Sequence, residues 1–238
     1  SNEIMKDTLE ASGTEIVTVS LRRANLNPED DESADILNFI DNRKFLILAN
    51  TSGANNAEEA VRLARLARSA GLPTWIKLEI HPDPKYLLPD PVETFKATKT
   101  LVDEGFTVLP YINADPLLAK RLQDVGASTV MPLGSPIGSN LGIQNRKQIE
   151  IIIEQATVPV IVDAGIGKPS HACEAMEIGA DAVLINTAIA ISSNPIKISK
   201  AFKGSVENGR TDFLFGSQET SFKGSATSPL STFLFEND

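Results

Sequence analysis

Apolar and charged residues alternate along Trp75-Ile76-Lys77-Leu78-Glu79-Ile80. Side chains on a strand point by turns to the two faces of its sheet, so Ile76, Leu78 and Ile80 share one face and Lys77 and Glu79 the other. A half-exposed edge strand carrying a solvated ion pair has this pattern. The segment, however, lies between two stretches of helical periodicity, 57–70 and 91–104, as in a βαβ unit whose sheet is covered on both faces. A lysine and a carboxylate facing the inside of such a sheet are costly to bury for structure alone. Charged groups in such surroundings cluster at functional sites, and this strand is the first candidate for chemistry.

The same alternation of strand and helix patterns continues along the chain. Strands are predicted over 15–21, 45–49, 75–80, 107–111, 128–131, 158–162 and 182–185, which makes seven, with seven helices between and around them. Helix stops are marked by glycines just before the next strand, at Gly71, Gly105, Gly126 and Gly179. Parallel order throughout follows. The first element, 3–11, reads as a helix with no strand before it. The expected fold is an α/β (β/α)8 TIM barrel whose first strand is absent from this chain, either because it lies upstream or because the barrel is incomplete.

Composition sets limits without choosing a function. A chain of 238 residues, 42% hydrophobic and 22% charged, suits one α/β domain over 1–238, with a less regular tail from about 210. The formal net charge of −9 argues against a general nucleic-acid binder, which needs clustered Lys and Arg. Cys173 is the single cysteine, so an internal disulfide framework and a Cys-based zinc cluster are excluded, and a packing role is expected for it. No apolar run is long enough for a membrane-spanning helix. A cytoplasmic protein is expected, with a plastid as the alternative in an alga or plant.

A barrel of this class carries its active site at the carboxyl ends of the strands and often binds phosphate after the last two. Glycines gather there. Asp163-Ala164-Gly165-Ile166-Gly167 follows the strand at 158–162, and Asn186-Thr187-Ala188 follows the next. Glycines let backbone N–H groups approach an anion, and a helix N-terminus adds a favourable dipole. A third loop, Gly134 to Gly142, is too long and glycine-rich for a simple connection and reads as a binding loop.

Taken in order, Ile-Lys-Leu-Glu-Ile at 76–80, Leu-Leu-Pro-Asp-Pro-Val-Glu-Thr at 87–94, Gly-Ser-Pro-Ile-Gly-Ser at 134–139, Pro-Val-Ile-Val-Asp-Ala-Gly-Ile-Gly at 159–167 and Leu-Ile-Asn-Thr-Ala at 184–188 resemble the thiazole synthase family of thiamine biosynthesis. Thr-Val-Ser-Leu-Arg-Arg at 18–23 and Asn-Thr-Ser-Gly-Ala at 50–54 extend the resemblance, which runs from about Asn2 to Leu234. It implies a barrel that builds thiazole phosphate from 1-deoxy-D-xylulose 5-phosphate, dehydroglycine and the sulfur of a thiocarboxylated, ubiquitin-like sulfur carrier protein. No cofactor or metal is expected, and a homo-oligomer is. The family lysine that forms an imine with the sugar ketone corresponds to Lys77. Its acid and base carboxylates correspond to Glu79 and Asp163, and its sugar-phosphate contacts to Gly138, Ala164, Gly165, Asn186 and Thr187. The family's first strand and the Gly-Thr-Gly-Lys segment after it have no counterpart here. Near the C-terminus, Thr211 to Phe215 replace a second Gly-Arg after Gly209-Arg210, and Thr232 stands where a glycine is common.

The chemistry agrees with the residues. An amine attacks a ketone only when neutral, and a free lysine with a pKa near ~10.4 is almost wholly protonated at neutral pH. Enclosure favours the neutral amine and an ionised Glu79 opposes it, which casts Glu79 as a proton shuttle. The split of acid and base roles between Glu79 and Asp163 stays open. Asp163 also reads, alternatively, as a helix cap before Pro169. His81 reads as a loop residue beside Pro82, with a place at the site mouth as the alternative, and His171 as an exposed residue at a helix start. Arg22 and Arg23 read equally as an anchor for a substrate anion or a neighbouring subunit and as a surface pair. Two other functions remain: a Schiff-base aldolase or isomerase, and a phosphosugar-binding barrel without catalysis.

Overall fold

The computed structural model describes residues 2–20, 36–216 and residue 223. Its strands are β1 (Ile16–Ser20), β2 (Leu46–Asn50), β3 (Trp75–Leu78), β4 (Thr107–Ile112), β5 (Met131–Pro132), β6 (Ile161–Val162) and β7 (Ala182–Val183). Every predicted strand is present. The helices are α1 (Asn2–Ser12), α2 (Ala57–Ser69), α3 (Pro91–Asp103), α4 (Pro116–Asp124), α5 (Arg146–Gln155), α6 (Pro169–Glu177), α7 (Thr187–Ala190) and α8 (Pro195–Phe215). The described residues thus hold eight α-helices against the seven expected, because the short α7 precedes α8 after β7.

All strand pairs are parallel and follow chain order, β1 to β5 in one sheet and β6 with β7 in a second. Bridges from Val130 to Val160 and from Leu133 to Asp163 join β5 to β6. Asp-Pro pairs start two of the covering helices. Asp90 accepts from the N–H groups of Val92 and Glu93 at the head of α3, and Asp115 from those of Leu117 and Leu118 at the head of α4. Proline at the first helical position leaves no donor unpaired, and the aspartate caps the next ones. The glycines expected to stop helices, Gly71, Gly105, Gly126 and Gly179, have φ of 81°, 80°, 97° and 99°.

The sheet curls on itself. Leu48, Leu109 and Met131 form one buried cluster with Trp75, Ile161 and Leu184, one side chain from each strand from β2 to β6 and one from just past β7. A flat sheet would keep β2 and β7 far apart, so this shared plug requires a barrel-like curve. On the outside, Ile76, Leu78 and Ile80 pack against α2 and α3 through Ala60, Ala64, Ala97 and Leu101. Burying each of the larger aliphatics contributes about 1.5–3 kcal/mol. Helices α1 and α8 pack together, bringing the two ends of the helical ring into contact. Gly209 lets α8 approach α6 closely, since a Cβ there would lie 2.4 Å from the Cys173 carbonyl oxygen.

Candidate active site

The plug fixes what lies above it. Stepping two residues along each strand from a plug residue keeps the inward face. Leu48 leads to Asn50, Trp75 to Lys77, Leu109 to Tyr111 and Ile161 to Asp163, and Glu79 is one more step along β3. All five are buried, Lys77 at 4% exposure, Glu79 at 3% and Asp163 at 2%. The alternation around 75–80 therefore has the meaning expected of it, with aliphatics against the helices and charges inside.

Lys77 Nζ lies 2.7 Å from Glu79 Oε1 and 2.6 Å from Asp163 Oδ2. Two carboxylates thus clamp one ammonium inside the barrel. Burial works against the lysine's charge, but the charges of Asp163 and Glu79 outweigh it and hold the ammonium above the usual lysine range. The carboxylates differ. Burial would raise Glu79, yet Lys77 and hydrogen bonds from His81, Lys77 and Asn50 hold it well below the usual range, so the residue expected to shuttle protons is instead held as the charged partner of Lys77. Asp163 goes the other way: burial, helped by the neighbouring Glu79 charge, lifts it above the ordinary value despite Lys77. One cation and two anions leave an excess negative charge in a closed space, and the less supported carboxylate is the one that resists ionisation.

Glu79 is held from three sides. Asn50 Nδ2 donates to its Oε1 at 2.9 Å, and its backbone N–H and C=O are both bonded to the Thr51 hydroxyl at 2.9 Å. His81 Nε2 lies 3.4 Å from Oε2 and 3.5 Å from Ser52 Oγ. Ser52, His81 and Glu79 are the residue types of a nucleophilic triad. Both contacts fall on the same ring nitrogen, however, so the ring cannot pass a proton between them. His81 is 7% exposed and lies in the loop after β3, as expected, but it is buried there against Glu79. The strand's curl carries the residues just past it inward, which a local reading of His-Pro misses.

The expected phosphate residues fall on neighbouring strand ends. Gly138 lies in the 134–142 loop, Ala164 and Gly165 follow β6, and Asn186 and Thr187 open α7. Two loops are stitched together: Gly134 N–H donates to the Asp163 carbonyl and Gly142 N–H to the Gly165 carbonyl, both at 2.8 Å. The register Val162 to Val183 places Ala164-Gly165 level with Ile185-Asn186. Ala164 takes a left-handed φ of 60°, a strained conformation of the kind kept at functional sites. A Cβ on Gly165 would meet Ser135 Oγ at 1.8 Å, so its glycine is required by the loop beneath. His171 is half-buried and not exposed, its Nδ1 accepting from Gly167 N–H at 3.2 Å.

Three expectations resolve simply. Asp163 faces Lys77 and does not cap α6, whose N-cap is Lys168. Burial and the Glu177 carboxylate push the Cys173 thiol up to about 11, which suits a packing residue and not a nucleophile. Arg22 and Arg23 lie outside the described residues, as does Thr232. Among the described residues no group of His, Cys, Asp and Glu could hold a metal, and no helix is long and apolar enough to cross a membrane.

Residues 1–229 match the family described as thiazole biosynthesis protein ThiG. The chain belongs to this thiazole biosynthesis family. It is 63% identical over 235 residues to a thiazole synthase of Syntrophobacter fumaroxidans, covering 98% of this chain and 90% of that one. A thiazole synthase of Bacteroides fragilis is 56% identical over 238 residues, covering 99% and 91%. Among solved structures, the Amycolatopsis orientalis BexX/CysO complex aligns with a TM-score of 0.81 at 29% identity, over 93% of this chain and 89% of that one. A thiamine phosphate pyrophosphorylase of Pyrococcus furiosus, at a TM-score of 0.60 and 13% identity over 87% and 90% of the two chains, shares the fold. The family, the thiazole biosynthesis activity and the barrel-like fold all agree with the resemblance in the sequence.

Proposed function

We propose that this thiazole synthase family member joins 1-deoxy-D-xylulose 5-phosphate, as an imine of Lys77, to dehydroglycine and to sulfur delivered by a ubiquitin-like carrier. The observation that carries the reading is the buried lysine clamped at 2.7 and 2.6 Å by two carboxylates of opposite tendency. Lys77 must lose a proton before its amine attacks the sugar's ketone. Asp163 is the acceptor, because its raised pKa makes it the stronger base of the pair. Protonated Asp163 then returns that proton to the departing hydroxyl as the carbinolamine loses water. Glu79 stays ionised and stabilises the iminium, whose positive nitrogen stands where the ammonium stood.

The sugar phosphate fits the loops at the ends of β5, β6 and β7. Gly138, Ala164, Gly165, Asn186 and Thr187 supply backbone N–H groups and short polar side chains there, around stitched loops that do not need to reorganise. A carrier tail reaches the imine by the mouth that these strand ends form, past the exposed Tyr86, Leu88 and Leu141 of the 81–88 and 134–142 loops. A BexX/CysO complex among the similar structures supports a protein partner. The deciding test is incubation with the pentulose phosphate, borohydride reduction and mass mapping. The adduct is expected on the peptide carrying Lys77, and thiazole phosphate is expected only when dehydroglycine and thiocarboxylated carrier are both supplied. A label elsewhere removes Lys77 from the role, and carbon–carbon cleavage of the sugar without sulfur turns the reading to an aldolase.

A further inference from the structure

Among the described residues, Tyr111 is a buried group beside Lys77 that the chemistry above leaves unused. It is 0% exposed, its ring centroid lies 5.6 Å from Lys77 Nζ, and its hydroxyl has no protein hydrogen-bond partner. A buried tyrosine hydroxyl almost always finds a partner, and one that does not costs stability. The other buried hydroxyls without partners among the described residues are those of Thr94 on α3, Thr129 just before β5 and Ser199 on α8, none of them paired with Lys77 as a ring contact. Tyr111 occupies the next inward position past the plug residue Leu109, which pairs with Lys77 between β3 and β4.

We propose that Tyr111 is a further catalytic residue, whose hydroxyl donates a hydrogen bond to the C3 oxygen of the Lys77-bound sugar during tautomerisation. The proposal rests on the imine reading above. With C2 of the sugar attached to Nζ, the C3 oxygen is three bonds from the lysine nitrogen and is the first substrate oxygen that a group flanking Lys77 meets. In the step itself, a carboxylate removes the C3 proton, and the electron pair forms the C2–C3 double bond while the iminium π pair returns to nitrogen. Asp163, protonated by the first half, then returns a proton to C2 while the C3 hydroxyl proton passes to solvent, which leaves the carbonyl at C3 with atoms and electrons balanced and no oxidant needed. Carbanion character grows at C3 in the first half and passes to its oxygen as the hydroxyl proton leaves, so a preorganised donor on that oxygen eases removal of the C3 proton as well as the second half. The phenol is suited to donate and not to ionise: burial and the charges of Asp163 and Glu79 hold it protonated, above the usual tyrosine range.

The ring also lies near the ammonium as a cation–π partner, and Tyr111→Phe keeps that contact while removing the hydroxyl. The experiment uses 1-deoxy-D-xylulose 5-phosphate deuterated at C3 and follows its wash-out into water by NMR, alongside borohydride trapping and thermal melts. Tyr111→Phe is expected to keep the trapped yield at Lys77 and slow wash-out about 10²-fold, the scale for losing one such donor. Its melting temperature without substrate is expected to rise, since an unpaired buried hydroxyl has gone. A wash-out rate equal to the unsubstituted protein's overturns the proposal, as does a trapped yield that falls in step with wash-out, which marks a packing role. Absence of any adduct in the unsubstituted protein overturns the imine reading and this proposal together. An intact adduct with wash-out indifferent to the substitution overturns this proposal alone.

Discussion

The β3 wall and the β6 wall of the site present the same chemical group to Lys77 in opposite ways. On β3, Glu79 is braced by side chains, with Asn50, Thr51 and His81 all bonded to it or beside it. On β6, Asp163 sits above glycine loops whose hydrogen bonds are between backbone groups, so its carboxylate has little besides Lys77 and the Ala164 N–H to steady its charge. Bracing by donors keeps Glu79 an anion, and its lack lifts Asp163 toward the protonated form. In the proposed chemistry, two acidic residues equally close to one lysine thus divide into a fixed charge and a proton carrier. Distance alone would have called them equivalent.

The most severe way to break the comparison is to remove what both walls share. Lys77→Ala is expected to abolish the borohydride adduct entirely, while phosphate-dependent binding measured by calorimetry persists. An adduct retained in this variant places the imine on another lysine. Next in effect is Asp163→Asn. Losing the proton carrier is expected to slow adduct formation by about 10²–10⁴-fold. Asp163's folded pKa is raised, so its ionised form costs stability at pH above the unfolded value. Asparagine mimics the neutral form, and the melting temperature at pH 7 is expected to hold or rise. A fall in stability without a fall in rate would give the two walls each other's roles.

Glu79→Gln is expected to do the reverse, lowering stability more than the rate of adduct formation. Removing one partner of a buried pair costs about 3–5 kcal/mol, and a Gln that retains the Asn50 contact should fall at the lower end. Glu79's folded pKa is depressed, so its contribution is present above the unfolded value near ~4.3 and is lost as pH falls toward the folded one. The stability gap between the unsubstituted protein and Glu79→Gln should accordingly close below about pH 4 in thermal melts. A gap that stays constant into acid would mean that Glu79 is not the braced anion.

How much of this was legible in the sequence follows the same division. Lys77, Glu79 and the strand phase were readable because a strand's two-residue period is local and the βαβ context says which face is covered. Asn50 and Tyr111 were readable in principle by the same step from Leu48 and Leu109, but a polar residue at a strand's end also fits a turn, and only the shared plug shows where those ends converge. His81 and His171 were placed correctly in a loop and at a helix start, but their burial was missed because their partners, Glu79 and Gly167, are set by loop closure and not by period. The need for glycine at 165 was legible as a loop signal. Its cause was not, since the Ser135 side chain that fills the space comes from another strand's loop. The phosphate reading itself rests on place in the barrel, and place needs the fold.

The finest test touches only the bracing. His81→Ala removes the Nε2 contact to Glu79 at 3.4 Å and leaves the Asn50 and Lys77 contacts in place. The histidine's hydrogen bond is one of the causes that hold Glu79 low. Its loss moves the folded pKa of Glu79 up toward the unfolded value, and the stability that Glu79 gives above that value shrinks without changing sign. A hydrogen bond to a charged group contributes about 1.5–3 kcal/mol, and this long one should lie at or below the lower figure. Thermal melts from pH 7 downward are expected to show a small deficit at pH 7 that narrows as the acid limb is reached, with the trapped yield at Lys77 preserved. The same substitution in a Glu79→Gln background should produce a smaller deficit, because the charge that His81 supports is already gone. Additive deficits in the double variant would detach His81 from Glu79 and leave the β3 wall braced by Asn50 and Thr51 alone.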